Sequence, residues 1–156
     1  MTNVTVREAT AADATAMRQI LRDILAVWKS DRPSTVAHVL AHYVDHPDRL
    51  RCSVAVDRGG AVIGFQSLKR AKEGNSYDLP TGWGIIGTYV AAKAAGRGVG
   101  KALFASSLDA ARKADLTEID ATIGESNEPG LAYYDAIGFR TYRSKPGAIC
   151  MKYFVE

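Results

Sequence analysis

The chain has 156 residues, 47% of them apolar and 24% charged, with a net charge of +3. That length and apolar share build one core without metal or disulfide support, so a single domain over 1–156 is expected. The mild positive excess suits a polyanionic ligand but requires no nucleic acid, and no apolar run approaches the ~18 residues of a membrane span. Met1 to Glu8 lacks the apolar stretch of a signal peptide, so the protein is expected to be cytoplasmic and the sequon Asn3-Val4-Thr5 incidental. Cys52 and Cys150 sit far apart in apolar stretches and read as small buried hydrophobes.

Val4 to Glu8 alternates and reads as a strand. Thr10 and Asp13 form a helix-start signal, and Met17, Ile20, Leu21, Ile24 and Leu25 then recur at helical spacing up to about Trp28. A loop carrying Pro33 follows, and a second helix spans about Thr35 to His46, stopped by Pro47. Arg51 to Asp57 and Ala61 to Arg70 are strands joined by a glycine hairpin, Ala71 to Pro80 is a loop, and Trp83 to Val90 is a strand. The interior Gly84 and Gly87 of that strand suggest a bulge or a close backbone approach. Gly98 to Ala114 is helical with Val99, Leu103, Leu108 and Ala111 inward, and Thr117 to Ile123 is a strand. A short helix over Pro129 to Ala136 ends at Gly138, and strands over Phe139 to Ser144 and Ala148 to Phe154 close the chain. The order β-α-α-β-β-β-α-β-α-β-β is mixed α/β.

Ala95-Gly96-Arg97-Gly98-Val99-Gly100-Lys101 lies where a strand gives way to a long helix. Glycines allow positive φ and bring main-chain amides close to an anion, and a helix start adds free donors, so a pyrophosphate is a natural guest. Two other phosphate loops do not fit. Ala95 and Ala102 occupy places where a P-loop needs Gly and Ser or Thr, and the spacing G-x-G-x-G is not the dinucleotide fingerprint. His38, His42 and His46 recur at helical spacing, but the outer pair stand ~12 Å apart at 1.5 Å per residue. Three such ligands cannot converge, so a solvated face is the better account and no metal is expected.

The glycine loop, preceded by Tyr89-Val90 and followed by Asn127, Gly130, Tyr134 and Gly138-Phe139, resembles the two motifs of the GNAT superfamily of N-acetyltransferases. The sequence departs from the usual pattern at Ala92 for Pro, Ala95 for Arg or Gln, and Gly130 for Ala. Ala95 removes a side-chain contact to the phosphates, for which Arg97 and Lys101 are expected to compensate.

The resemblance implies a twisted mixed sheet of about seven strands flanked by about four helices, with a splay between the fourth and fifth strands that a bulge near Gly87 would widen. Acetyl-CoA would be the co-substrate. Tyr89, Val90, Ala95, Gly96, Arg97, Gly98, Val99, Gly100, Lys101, Asn127, Gly130 and Tyr134 would bind it, with a main-chain N–H near Val90 meeting the acetyl oxygen. Tyr134 would act as general acid at the leaving thiolate. Glu125 is the first candidate for the base that frees the amine and Asp78 the second. Trp28, Tyr77 and Trp83 are candidates to line the acceptor pocket, and Tyr133 is expected to face away from Tyr134 and pack. The expected reaction is acetyl transfer to a primary amine of a small molecule by direct attack in a ternary complex. Acetylation of protein N-termini or lysines, or a non-catalytic acyl-CoA-binding module, are the alternatives. Neither nucleic acid nor membrane is an expected partner, and a homodimer is left open.

Overall fold

The computed structural model describes residues 4–156; Met1 to Asn3, and with them the sequon's asparagine and the first residues of the chain start, lie outside them. The elements follow the expected order: β1 Thr5–Glu8, α1 Ala14–Val27, α2 Val36–Val39, β2 Arg49–Val56, β3 Val62–Arg70, β4 Gly84–Val90, α3 Val99–Lys113, β5 Glu118–Gly124, α4 Glu128–Ala136, β6 Arg140–Lys145 and β7 Ala148–Phe154. The seven strands form one sheet in the order β1-β2-β3-β4-β5-β7-β6. Every neighbouring pair is antiparallel except β4 and β5.

The start of α1 is fixed by Asp13, whose carboxylate accepts the Thr10 N–H at 2.8 Å and both Arg7 guanidinium nitrogens at 2.8 Å. The Arg7 hydrogen bonds hold the Asp13 carboxyl below the usual carboxylate range. The second helix is shorter than its polar–apolar pattern implies. After α2 the backbone widens into a π-helical segment, Leu40–Val44, closed by Asp45 N–H on Leu40 O at 2.7 Å. This wide turn carries Tyr43 and Val44 into the core.

Side chains alternate across the sheet, and the two faces have different covers. Met17, Leu21 and Leu25 of α1 meet Tyr43, Phe65 and Tyr89 on one face. On the other, Phe104 and Ala111 of α3 and Tyr134 of α4 meet Leu68, Ile86, Ile119 and Phe139. In the central strands, where both faces are covered, polar side chains such as Gln66, Ser67 and Asp120 are buried and must end in cavities or hydrogen bonds rather than in water.

β4 and β5 pair only at Gly84↔Ile119 and Ile85↔Asp120, and from there they part. No bulge causes this, contrary to the expectation at Gly87: β3 and β4 stay in unbroken register from Gly64↔Val90 to Arg70↔Gly84. As they separate each keeps its outer partner, β4 remaining with β3 to its end while β5 follows β7 through Gly124↔Ala148. Among the described residues no helix is long and apolar enough to cross a membrane.

Candidate active site

The parting of β4 and β5 opens two cavities that share a wall. The larger, about 1280 Å³, runs from the glycine loop along β4 to α4. The smaller, about 400 Å³, lies on the α1 and α2 face of the sheet. Arg32, Ile86, Gly87, Tyr89 and Thr122 line both. A Cβ on Gly87 would meet nothing nearer than the Tyr89 ring at 3.5 Å. The glycine therefore leaves the passage open rather than relieving a clash.

At one end of the larger cavity, Gly96 and Gly98 hold φ of 78° and 75°, and Gly98 is the residue before α3. These left-handed positions favour glycine. The first bond of α3 runs from Ala102 N–H to Gly98 O, which leaves the amides of Val99, Gly100 and Lys101 as free donors at the positive end of the helix. Lys93 and Lys101 line the cavity here. Gly100 has a different reason to be glycine, since a Cβ there would stand 2.5 Å from Cε1 of Tyr133.

Tyr133 and Tyr134 both turn towards the sheet, correcting the expectation that they face apart; their ring centroids are 4.8 Å from each other. A buried polar chain holds them. Ser107 Oγ donates to Gln66 Oε1 at 2.6 Å, and Gln66 Nε2 donates to Thr88 Oγ1 at 2.9 Å and to Tyr133 Oη at 3.1 Å. Tyr133 in turn donates to Gly100 O at 2.7 Å, which ties α4 to the first turn of α3. Tyr134 Oη lies 2.7 Å from Thr88 Oγ1. Either hydroxyl can donate in this contact; when Thr88, which accepts from Gln66, donates its own proton to the Tyr134 oxygen, the Tyr134 proton is free for the cavity. Burial pushes the Tyr134 phenol well above its ordinary range and the Tyr133 phenol up to about 12, so both stay protonated.

The smaller cavity is rich in polar groups. Arg32 Nη2 donates to Tyr89 Oη at 3.3 Å, and Tyr43 Oη donates to the same oxygen at 3.3 Å. Lys69 stands over the Tyr43 ring at 5.4 Å, and burial lowers its ammonium to about 8. His38 and His42 stack at 4.8 Å, and burial, with the Lys69 charge, pushes His42 down to about 4. These imidazoles are neutral at pH 7, leaving Arg32 and Lys69 as the cations of the cavity. Among the described residues no cluster of potential metal ligands is present.

A free-donor loop at a helix start, a wedge between two parallel strands and a tyrosine at its throat are joined by a direct comparison: the Acetyltransferase (GNAT) family profile matches residues 14–139. The chain belongs to the GNAT acetyltransferase family. It is 37% identical over 111 residues to a phosphinothricin N-acetyltransferase of Streptomyces coelicolor, a match covering 67% of this chain and 61% of that protein. The GCN5-related N-acetyltransferase of Kribbella flavida superposes with a TM-score of 0.81 at 26% identity, covering 97% of this chain and 98% of the other. A phosphinothricin acetyltransferase of Sinorhizobium meliloti, solved in complex with acetyl-CoA, gives 0.78 at 22%, covering 98% and 89%.

Against the GNAT motifs, Tyr89, Val90, Ala95, Gly96, Gly98, Val99, Gly100, Lys101, Asn127, Gly130 and Tyr134 all line the larger cavity. Asn127 caps α4, its Oδ1 accepting the Gly130 N–H at 3.1 Å. Arg97 does not line it: its side chain is exposed and its N–H is engaged by Ala94 O at 3.3 Å, so Lys93 rather than Arg97 joins Lys101. Tyr77 lines the smaller cavity and Trp28 the rim of the larger. Trp83 lines neither, because it packs on Tyr142 at 5.7 Å with the Lys152 ammonium over its ring. Glu125 also lines neither; its N–H bonds to Gly147 O at 3.0 Å, which turns this exposed residue to the β6–β7 hairpin. Asp78, its side chain 95% exposed, lies on the loop beside Arg143 at 3.6 Å. Asp120 and Thr122, unremarked in the sequence, stand in the cavity wall instead.

Proposed function

We propose that the protein transfers acetyl from acetyl-CoA to a primary amine of a small, negatively charged molecule, by direct attack while both substrates are bound. The observation that carries this reading is the pair of cavities meeting at Gly87 and Thr122, one long and ending in free amides, the other small and cationic. The larger cavity fits acetyl-CoA: the Gly98 to Lys101 amides would receive the pyrophosphate, the parted edges of β4 and β5 the pantetheine, and Tyr134 would face the sulfur. When bound, the thioester supplies an activated acyl carbon. Tyr134 then holds a proton for the departing sulfur, while Arg32 and Lys69 hold an acceptor's anionic group on the opposite side of the sheet. An acceptor cavity of about 400 Å³ suits a small molecule better than a protein tail. Relatives named for phosphinothricin make that compound the first acceptor to try. Initial-velocity patterns test the ternary complex, since direct attack gives intersecting double-reciprocal lines and a covalent acetyl-enzyme gives parallel ones.

Lys69 gives this reading a pH signature. Its ammonium is present below about 8 and is lost as pH rises through that value. KM for an anionic acceptor should therefore rise above about pH 8, with kcat changing less. Lys69→Met should raise that KM about tenfold at pH 7, as expected for one charged hydrogen bond of ~1.5 kcal/mol, and remove the rise above pH 8. Initial rates across pH on both proteins check it.

A further inference from the structure

Chemistry on an amine needs somewhere for its proton to go, because an ammonium has no lone pair. Among the described residues Asp120 is the only carboxylate lining the acceptor cavity. It stands opposite Ile85 on the last rung where β4 and β5 still pair, at the base of the wedge. Its Oδ1 accepts the Tyr142 hydroxyl at 2.6 Å and its Oδ2 accepts the Thr122 hydroxyl at 2.8 Å. Asp120 itself is fully buried, so an amine cannot touch it. Thr122 can be touched, because it lines both cavities. With its only proton committed to Asp120, the Thr122 oxygen presents lone pairs to the passage where amine and thioester would meet.

We propose, on the basis of the acetyl-transfer reading above, that Thr122 and Asp120 form the proton exit for the acceptor amine. One ammonium proton passes to Thr122 Oγ1 as the Thr122 proton passes to Asp120 Oδ2. The freed nitrogen lone pair forms the C–N bond, the C–S bond breaks, and sulfur takes the Tyr134 proton. A second proton leaves nitrogen as the amide forms and returns Tyr134 to its phenol state. Asp120 returns its proton through Thr122 to solvent entering the cavity as product departs.

The surroundings suit such a role. Burial raises Asp120 above the ordinary carboxylate range, and the hydroxyls of Tyr142 and Thr122, with the charges of Arg143 and Lys145 on β6, restrain that rise. From β7, Lys152 is its partner in register, paired to Glu118, and Cys150 lies 3.7 Å from Thr122. Tyr77 and Tyr134 also sense the Asp120 charge, and Arg32, Lys69, His38 and His42 share the cavity. A raised carboxyl is a stronger proton acceptor than an ordinary one, and the hydroxyl donors favour its ionised form.

The test compares two nucleophiles with acetyl-CoA: phosphinothricin, whose amine arrives protonated, and hydroxylamine, which is already neutral at pH 7. Asp120→Asn and Thr122→Val should each lower kcat/KM for phosphinothricin at least tenfold, yet leave hydroxylamine acetylation, above the uncatalysed background, within about twofold of wild type. Tyr142→Phe removes a donor that favours the carboxylate, so the acid limb of the phosphinothricin kcat/KM profile should move to higher pH. Thermal melts and acetyl-CoA binding accompany each variant, and Thr122→Val and Tyr142→Phe carry the test if Asp120→Asn does not fold. Loss of both nucleophiles alike in a folded variant, retention of both, or an unmoved acid limb overturns the proton exit alone. If wild-type protein does not acetylate phosphinothricin, the pair of variants is read with the best acceptor from a panel of small anionic amines, and turnover of none of these and of no hydroxylamine overturns the acetyl-transfer reading and the exit with it.

Discussion

Tyr134→Phe is expected to lower kcat about a hundredfold, equivalent to ~2.7 kcal/mol, while KM for acetyl-CoA stays within a few-fold. The substitution deletes a single oxygen. The ring remains packed on Phe139, at 5.1 Å between centroids, so the shape of the cavity is kept. What is lost is the hydroxyl that Thr88 holds at 2.7 Å at the throat of the wedge. A thiol of pKa ~8.5 leaves fairly well without help, which places the effect near the lower end of the general-acid range. Because burial raises the phenol, it stays protonated across the working range, and wild-type rates should show no alkaline limb from Tyr134. If Tyr134 only packs against the coenzyme arm, kcat should barely move. A Phe variant keeping more than about half of wild-type kcat, with chemistry rate-limiting, would take Tyr134 out of the reaction.

Gly98→Val should raise the acetyl-CoA dissociation constant about thirtyfold, or ~2 kcal/mol. Gly98 sits at φ 75°, where a β-branched residue is strained, and it sets the direction of the three free amides that follow. Relaxing that strain means turning the amides away from the ligand. Arg97→Ala should matter much less, since the Arg97 side chain is exposed and outside the cavity. Calorimetric titration of acetyl-CoA into both variants checks the pair. Wild-type affinity in Gly98→Val would show that the main chain of this loop does not cradle the coenzyme.

Periodicity made most of the fold legible, because α1 and α3 bury one stripe each and the strands are short and bounded by turn residues. The glycine loop was legible because its spacing has a mechanical reason, and the resemblance to the GNAT motifs named the further residues, Tyr89, Asn127 and Tyr134 among them, that line the larger cavity. As an acceptor pocket the smaller cavity was legible only at Tyr77. In the run Glu118 to Ile123, alternation marks Asp120 and Thr122 as the polar face, which in an ordinary half-exposed strand points to water. Here the central sheet is covered on both faces, so that same alternation delivers a carboxylate to the wall of a cavity. Glu125 drew attention instead because it follows the strand that parts, but one residue past β5 the chain has already turned to Gly147. Gln66 escaped notice for a related reason. Its partners Ser107, Thr88 and Tyr133 come from three other elements, and no local pattern announces a network assembled by tertiary packing. The π-helical segment was hidden too, since apolar spacing through Val39 and Tyr43 reads equally well as a plain α-helix.

Thiol release from acetyl-CoA, followed against a panel of small amines that includes phosphinothricin, tests the central claim most directly. The account predicts amine-dependent release above the hydrolysis background, strongest for acceptors that carry an anionic group, with the N-acetyl product identified by mass. Tight acetyl-CoA binding without turnover of any amine in the panel would contradict it and leave a module that binds the coenzyme and transfers nothing.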